Sequence, residues 1–260
     1  GKSTLVDKLI AAFRAEGKTV GVLAVDPTSP FTGGAILGDR IRMQTHATDP
    51  GVFIRSIATR GAMGGLSRST SAMAHILDAM GWDIVLIETV GVGQDEVEVF
   101  KTAHTAVVVT VPGMGDDVQA IKAGILEIAD IFVINKADRE GSDRTVAEIT
   151  MMLDLNEYAE GDWRPPVLKA QAVVNQGIDE ILEAIEGHRA FLSTGEGFEK
   201  RREERIKREF LEILRETLSE RVLRTLEREG RLAEIIAQLT GKEADPYSVV
   251  EGILKERLRD

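Results

Sequence analysis

The sequence predicts an α/β fold in which a mostly parallel sheet is layered between helices, followed by a helical extension. Three observations carry that reading. Short β-branched runs alternate with longer helical patterns from Lys18 to about Ala172. The runs are nearly continuous in Val, Ile and Leu, as in strands buried on both faces. Beyond about residue 195 the charge density rises and strand patterns stop.

In chain order, the expected strands are "TVGVLAVD" (19–26), "GVFIRSIA" (51–58), "WDIVLIET" (82–89), "TAVVVTVP" (105–112), "IFVINKAD" (131–138) and "PVLKAQAV" (166–173). Helices are expected at about 3–16, 64–80, 116–128, 142–158 and 177–192. Sheets of this kind bind ligands beyond the carboxyl ends of their strands. In the tail, Ile206, Phe210, Ile213, Leu214, Leu218, Val222 and Leu226 recur at helical spacing. That spacing predicts one long amphipathic helix, with one or two shorter helices after it. The expected division is 1–195 for the α/β domain and 196–260 for the helical arm.

Composition narrows the function classes. The chain has 260 residues, 43% of them hydrophobic, enough for one sizeable domain with an appendage. Its net charge of −11 argues against general attraction to nucleic acid or anionic membrane. With no cysteine, disulfides and thiolate metal sites are excluded, and a reducing, cytoplasmic setting is expected. The longest apolar runs are too short to span a bilayer.

Chemistry enters at the first four residues. Gly1-Lys2-Ser3-Thr4 reads as the second half of the phosphate-binding pattern G-x-x-x-x-G-K-[ST] running into a helix. In that reading Lys2 reaches the outer phosphates, the Ser3 hydroxyl ligates Mg2+, and amides at the helix start hold anionic oxygens. A strand and the first half of the loop are expected to precede the chain as given. Asn135-Lys136-Ala137-Asp138 follows the run "IFVI". A carboxylate at a strand end accepts hydrogen bonds from the ring N–H and exocyclic amine of guanine, whereas adenine leaves it unpaired. N-K-x-D is the base-reading motif of GTPases.

The stretch "VLIETVGVGQDE" places an acid at a strand end before a glycine turn, where nucleotide hydrolases hold magnesium and sense the γ-phosphate. Glu88 stands where Asp is usual in D-x-x-G, and Gly91 supplies the amide. Val92 replaces the usual water-orienting Gln, and Gln94 follows two residues later. Slow intrinsic hydrolysis accelerated by a partner is therefore expected.

"LAVDPTSPFTGGAILGDRIRM", "IRSIATRGAMGGLS", "IVLIETVGVGQDEVEV", "VPGMGDDVQAIKAGILEIADIFVINKADREG" and "PPVLKAQAVVNQGIDEI" together resemble the MeaB/ArgK-type GTPases, chaperones of adenosylcobalamin-dependent methylmalonyl-CoA mutase. The resemblance covers residues 1 to about 190. It implies a P-loop NTPase three-layer αβα sandwich, with GTP/GDP and Mg2+ as cofactors. Asp26 and Asp39 would join Ser3 and Glu88 near the metal. The segment 113–124 would be an additional switch read by the client, with Asp116 and Lys122 as its candidate residues. Gln171-Ala172-Val173 would be the base-side loop, with Gln in place of the usual Ser.

The implied function is a GTP-hydrolysing chaperone that gates adenosylcobalamin delivery to a methylmalonyl-CoA or related acyl-CoA mutase and protects that enzyme. Cobalamin would belong to the partner. Resemblance and amphipathicity together imply a homodimer formed through the tail. Alternatives are a metallocentre-assembly GTPase, an ATPase or kinase of basic-amino-acid transport, and a non-enzymatic scaffold. The first usually shows Cys/His clusters, yet His46, His75, His104 and His188 are scattered and cysteine is absent. Asp138 speaks against the second.

Overall fold

A computed structural model describes residues 1–26, 44–58, 65–89, 103–113, 129–194 and 196–257. The expected helix over 116–128 and the positions Asp39, Gly91, Gln94, Asp116 and Lys122 lie outside the described residues. The chain divides into two units, 1–201 and 202–260.

The first unit runs α1 (Lys2–Ala15), β1 (Val20–Asp26), a 3-10 turn (Gln44–His46), β2 (Val52–Ala58), α2 (Gly65–Ala79), β3 (Ile84–Glu88) and β4 (Val107–Thr110). It continues through β5 (Ile131–Asn135), α3 (Ser142–Leu153), β6 (Val167–Ala170), a second 3-10 turn (Ala172–Val174) and α4 (Ile178–Thr194). All six expected strands are present, each no longer than the apolar run that signalled it. Every named strand pairing is parallel.

Among the described residues the strands pair as two three-stranded sets, ordered β2-β1-β3 and β4-β5-β6. Strand burial follows from that division. β5, paired on both sides, is buried at every position. β3 and β4 are equally apolar in sequence but edge their sheets, and they are half-buried along most of their length.

β5 shows how the layers form. Ile131 and Val133 point to one face, where they join Val20 and Val22 of β1, Leu5, Leu9, Ile10 and Phe13 of α1, and Ile178 and Ile181 of α4. Phe132 and Ile134 point to the other face and meet Ile149 and Leu153 of α3. This alternation is the period-two geometry of a strand covered on both sides. One core cluster thus unites the two sheets through α1 and α4. Each fully buried Leu, Ile or Phe side chain there contributes about 1.5–3 kcal/mol.

Three expected elements end early. The β5 run was expected to reach residue 138 but stops at Asn135, because Lys136 takes φ 58° and turns the chain. The β6 run was expected to reach 173 but gives way after Ala170 to the second 3-10 turn. The helix expected to end at 158 ends at Leu153, followed by turns in which Leu155 N–H donates to Met152 O.

A buried polar knot braces the opposite end of the β4-β5-β6 sheet. His188 of α4 is fully buried, its Nδ1 2.9 Å from the Thr105 hydroxyl and its Nε2 3.2 Å from Asp130 Oδ1. Trp163 packs on the imidazole and donates its indole N–H to the Asp130 carbonyl at 2.8 Å.

Helix α5 (Glu196–Arg228) begins in the first unit and runs into the second, which continues with α6 (Arg231–Thr240) and α7 (Pro246–Arg257). Two shorter helices therefore follow the long one. Pro246 opens α7 where its missing N–H costs nothing, and Asp245 Oδ1 accepts the Tyr247 and Ser248 amides at 3.0 Å each. Ile206, Phe210, Ile213, Leu214 and Leu218 are exposed along α5. Among the described residues, no helix is long and apolar enough to cross a membrane.

Candidate functional site

The carboxyl ends of the strands bring the predicted residues together. β3 ends at Glu88 and β5 at Asn135, while β6 leads into Gln171 and Ala172. Gly1 caps the amino end of α1 at the same edge.

Helix α1 starts without a side-chain cap and without an acid in its first turn. A helix start of that kind suits an anion. Lys2 and Thr4 occupy this turn and are half-buried. Ser3 is buried and donates its hydroxyl proton to Glu88 Oε1 at 2.6 Å across 85 residues of sequence. Glu88 is itself buried. The pair supplies hard oxygen donors, the chemistry Mg2+ prefers, so these residues fit the metal implied by the phosphate-loop reading. Asp26 ends β1 opposite Ala58, and its side chain lies outside the described residues, as does Asp39.

Asn135 ties the start of α1 to the turn after β5 and the loop after β6. Its Nδ2 donates to Gly1 O at 3.1 Å, and its Oδ1 accepts the Lys136 amide at 2.8 Å and the Ala172 amide at 3.2 Å. The side chain is 2% exposed. Gly1 is required here, because a Cβ at this position would lie 2.6 Å from Asn135 Nδ2. Lys136, at positive φ, turns the chain so that Ala137 N–H reaches Ala170 O at 3.0 Å. A non-glycine residue held in the left-handed region costs on the order of 1 kcal/mol and persists where its surroundings impose it. Asp138 follows on the exposed side of that turn.

Main-chain bonds at position 171 close the loop after β6 whatever side chain stands there. Gln171 and Gln176 form an antiparallel bridge through their backbones, at 3.0 and 3.2 Å. Val174 N–H donates to Gln171 O at 3.0 Å, so main-chain bonds close the loop. Gly177 makes the closure possible: its φ is +79°, and a Cβ there would meet Lys169 O at 2.2 Å. Val173 projects from the loop, 77% exposed.

Among the predicted residues, Gly1, Ser3, Glu88, Asn135 and Ala172 are thus joined by hydrogen bonds, with Lys2, Thr4, Lys136, Asp138, Gln171 and Val173 on the same elements. Sequence reasoning missed Gln176 and Gly177 as the pair that closes the base-side loop. The Asn-Gln-Gly string was the available signal, since Gly after polar residues marks a turn. Of the four histidines, His46 is within 3.1 Å of Asp7, and His188 lies in the buried knot with Thr105 and Asp130. Among the described residues, no group of three His, Cys, Asp or Glu side chains could hold a metal ion.

Comparison with known proteins gives the family and the fold. A Pyrococcus abyssi protein named as a GTPase is 55% identical over 258 residues, 98% of this chain and 79% of that one. The GTPase ArgK of Escherichia coli K12 is 37% identical over 231 residues, 87% of this chain and 68% of ArgK. Among solved structures, a LAO/AO transport system kinase superposes with a TM-score of 0.68 at 25% identity, covering all of this chain and 78% of the other. The fold is accordingly that of the P-loop NTPases, with a helical C-terminal part. The family model described as methylmalonyl Co-A mutase-associated GTPase MeaB matches residues 1–227, and the chain belongs to that family.

Proposed function

We propose that this chain is the GTP-hydrolysing part of a chaperone that gates adenosylcobalamin delivery to methylmalonyl-CoA mutase, or a related acyl-CoA mutase, and protects that enzyme. The observation that carries the nucleotide chemistry is the joining of Ser3 to Glu88 and of Gly1 to Asn135 across the two sheets. The mutase comes from the family's description.

In this mechanism the α1 amides and Lys2 bind the phosphates, and Asp138 pairs with guanine while Lys136 and the Gln171–Val173 loop flank the base. Ser3 and Glu88 hold Mg2+, aided by Asp26 and Asp39; when bound, the ion offsets charge developing on the phosphates. Gly91 contacts the γ-phosphate, and Gln94 orients water in place of the Gln that Val92 displaces. Hydrolysis is slow until the client acts through the switch segments 26–45, 88–98 and 113–124, the last bearing Asp116 and Lys122. Residues 196–260 form the dimerisation arm, supported by the exposed apolar side chains of α5.

The test is GTP turnover by the intact protein with and without purified methylmalonyl-CoA mutase. Acceleration by the mutase supports both the client and the switches; an unchanged rate removes this client. The kinase-titled structural neighbour makes nucleotide choice the second comparison. ATP binding equal to GTP binding would favour a kinase or ATPase and count against Asp138 as the base reader.

A further inference from the structure

Ser3, Asp7 and Arg14 share one face of α1: at 100° per residue Asp7 lies about 40° from Ser3, and Arg14 about 20°. Each reaches toward the β2-β1-β3 half of the unit. Ser3 meets Glu88 at the end of β3. Asp7 Oδ1 accepts the Thr45 hydroxyl at 3.1 Å, and His46 Nε2 stands 3.1 Å from the same oxygen and 3.2 Å from the Asp7 carbonyl. Arg14 donates to both Asp49 oxygens, at 2.9 and 3.0 Å, and to Lys18 O at 2.7 Å. Asp49 Oδ1 also accepts the Gly51 amide at 2.8 Å, and Gly51 O accepts the Val20 amide that opens β1, at 2.9 Å.

The rest of the α1 contact is apolar: Leu5, Leu9, Ile10 and Phe13 press on the shared core. Such packing is non-directional and fixes the depth of a helix better than its roll. A roll of about 10° displaces an atom about 4 Å from the axis by roughly 0.7 Å. That is enough to spoil a hydroxyl–carboxylate contact of 2.6 Å. Asp7 lies one turn after Ser3 and is the polar brace nearest to it.

We propose that Asp7 is a positioning residue for the metal site: through the Thr45–His46 turn it sets the roll of α1 that brings the Ser3 hydroxyl onto Glu88. The inference rests on the GTPase reading, in which that pair holds Mg2+. Its test follows GDP-dependent thermal stabilisation of the intact protein as Mg2+ is titrated, with GDP affinity in EDTA as the reference.

Asp7→Ala is expected to raise the Mg2+ concentration at the midpoint about fivefold, the scale of a partly exposed polar brace, while leaving affinity in EDTA unchanged. Thr45→Val is expected to do the same, and the double variant to do no more than either alone. Asp7→Asn, whose Oδ1 still accepts from Thr45, restores most of the midpoint. A lowered melting temperature with an unmoved Mg2+ midpoint, or additive effects in the double variant, overturns the inference alone. Absence of Mg2+-dependent GDP binding in the unsubstituted protein overturns the GTPase reading, and this inference with it.

Discussion

Asn135→Ala removes one small side chain and three hydrogen bonds at once. Gly1 O keeps its bond from Leu5 N–H at 3.1 Å but loses the one from Nδ2. The Lys136 and Ala172 amides lose the oxygen they share. At about 1 kcal/mol net for each bond, the variant is expected to be about 3 kcal/mol less stable. For a unit of this size that corresponds to a fall of about 6–12 °C in Tm. Both tryptophans, Trp82 and Trp163, lie in residues 1–201, so urea unfolding followed by tryptophan fluorescence reports on the right unit. Because the lost bonds hold the phosphate-side Gly1 and the base-side Ala172 in register, GDP affinity should fall about tenfold as well. A variant within about 0.5 kcal/mol of the parent would refute the bond count. A destabilised variant with unchanged GDP affinity would refute the claim that this bracket serves the nucleotide site.

Asp138→Asn should weaken GTP binding about a hundredfold and improve binding of xanthosine triphosphate, whose 2-oxo group can accept from the new amide; competition against fluorescent GDP measures both, and unchanged GTP affinity would remove Asp138 from the base site. The Thr19 amide and hydroxyl, each 2.8 Å from Asp83, hold its carboxyl below the usual range. The contribution to stability is therefore complete above the ordinary carboxylate value of about 4 and disappears as pH falls through the lower folded value. Urea titrations between about pH 2 and 6 should show a shallower acid loss for Asp83→Asn. Phe210→Glu with Leu214→Glu places charge on exposed apolar positions of α5 and should convert the proposed dimer to monomer in sedimentation; a monomeric parent protein sinks the dimer instead.

The strands were legible because buried parallel strands need continuous apolar runs, and "IFVIN" and "VGVLAV" supply them. Their ends were less so. Lysine has no preference for positive φ, and the turn at Lys136 is imposed by the Asn135 side chain and the Ala137–Ala170 bond. The candidate site residues were read as motifs, each within its own stretch of chain. Their couplings were not: Asn135 reaches Gly1 across 134 residues and Ala172 across 37. No local pattern encodes such pairs.

Those couplings give α1 a bracing role beside the phosphate-binding role proposed for it. Glu88, the proposed metal ligand, belongs to the β2-β1-β3 set of strands, and the proposed base-reading turn after Asn135 to the β4-β5-β6 set. Directional bonds across the divide converge on the start of α1, where Gly1 O is held by Asn135 and Ser3 Oγ by Glu88. Two residues apart on one helix, these contacts add directional restraint to the apolar core that the two sets of strands share. A guanine nucleotide with its base at Asp138 and its phosphates at Lys2 would span the same divide. Its binding and the alignment of the sheets are therefore thermodynamically linked: whatever loosens the start of α1 weakens the nucleotide, and a bound nucleotide tightens the joint in return.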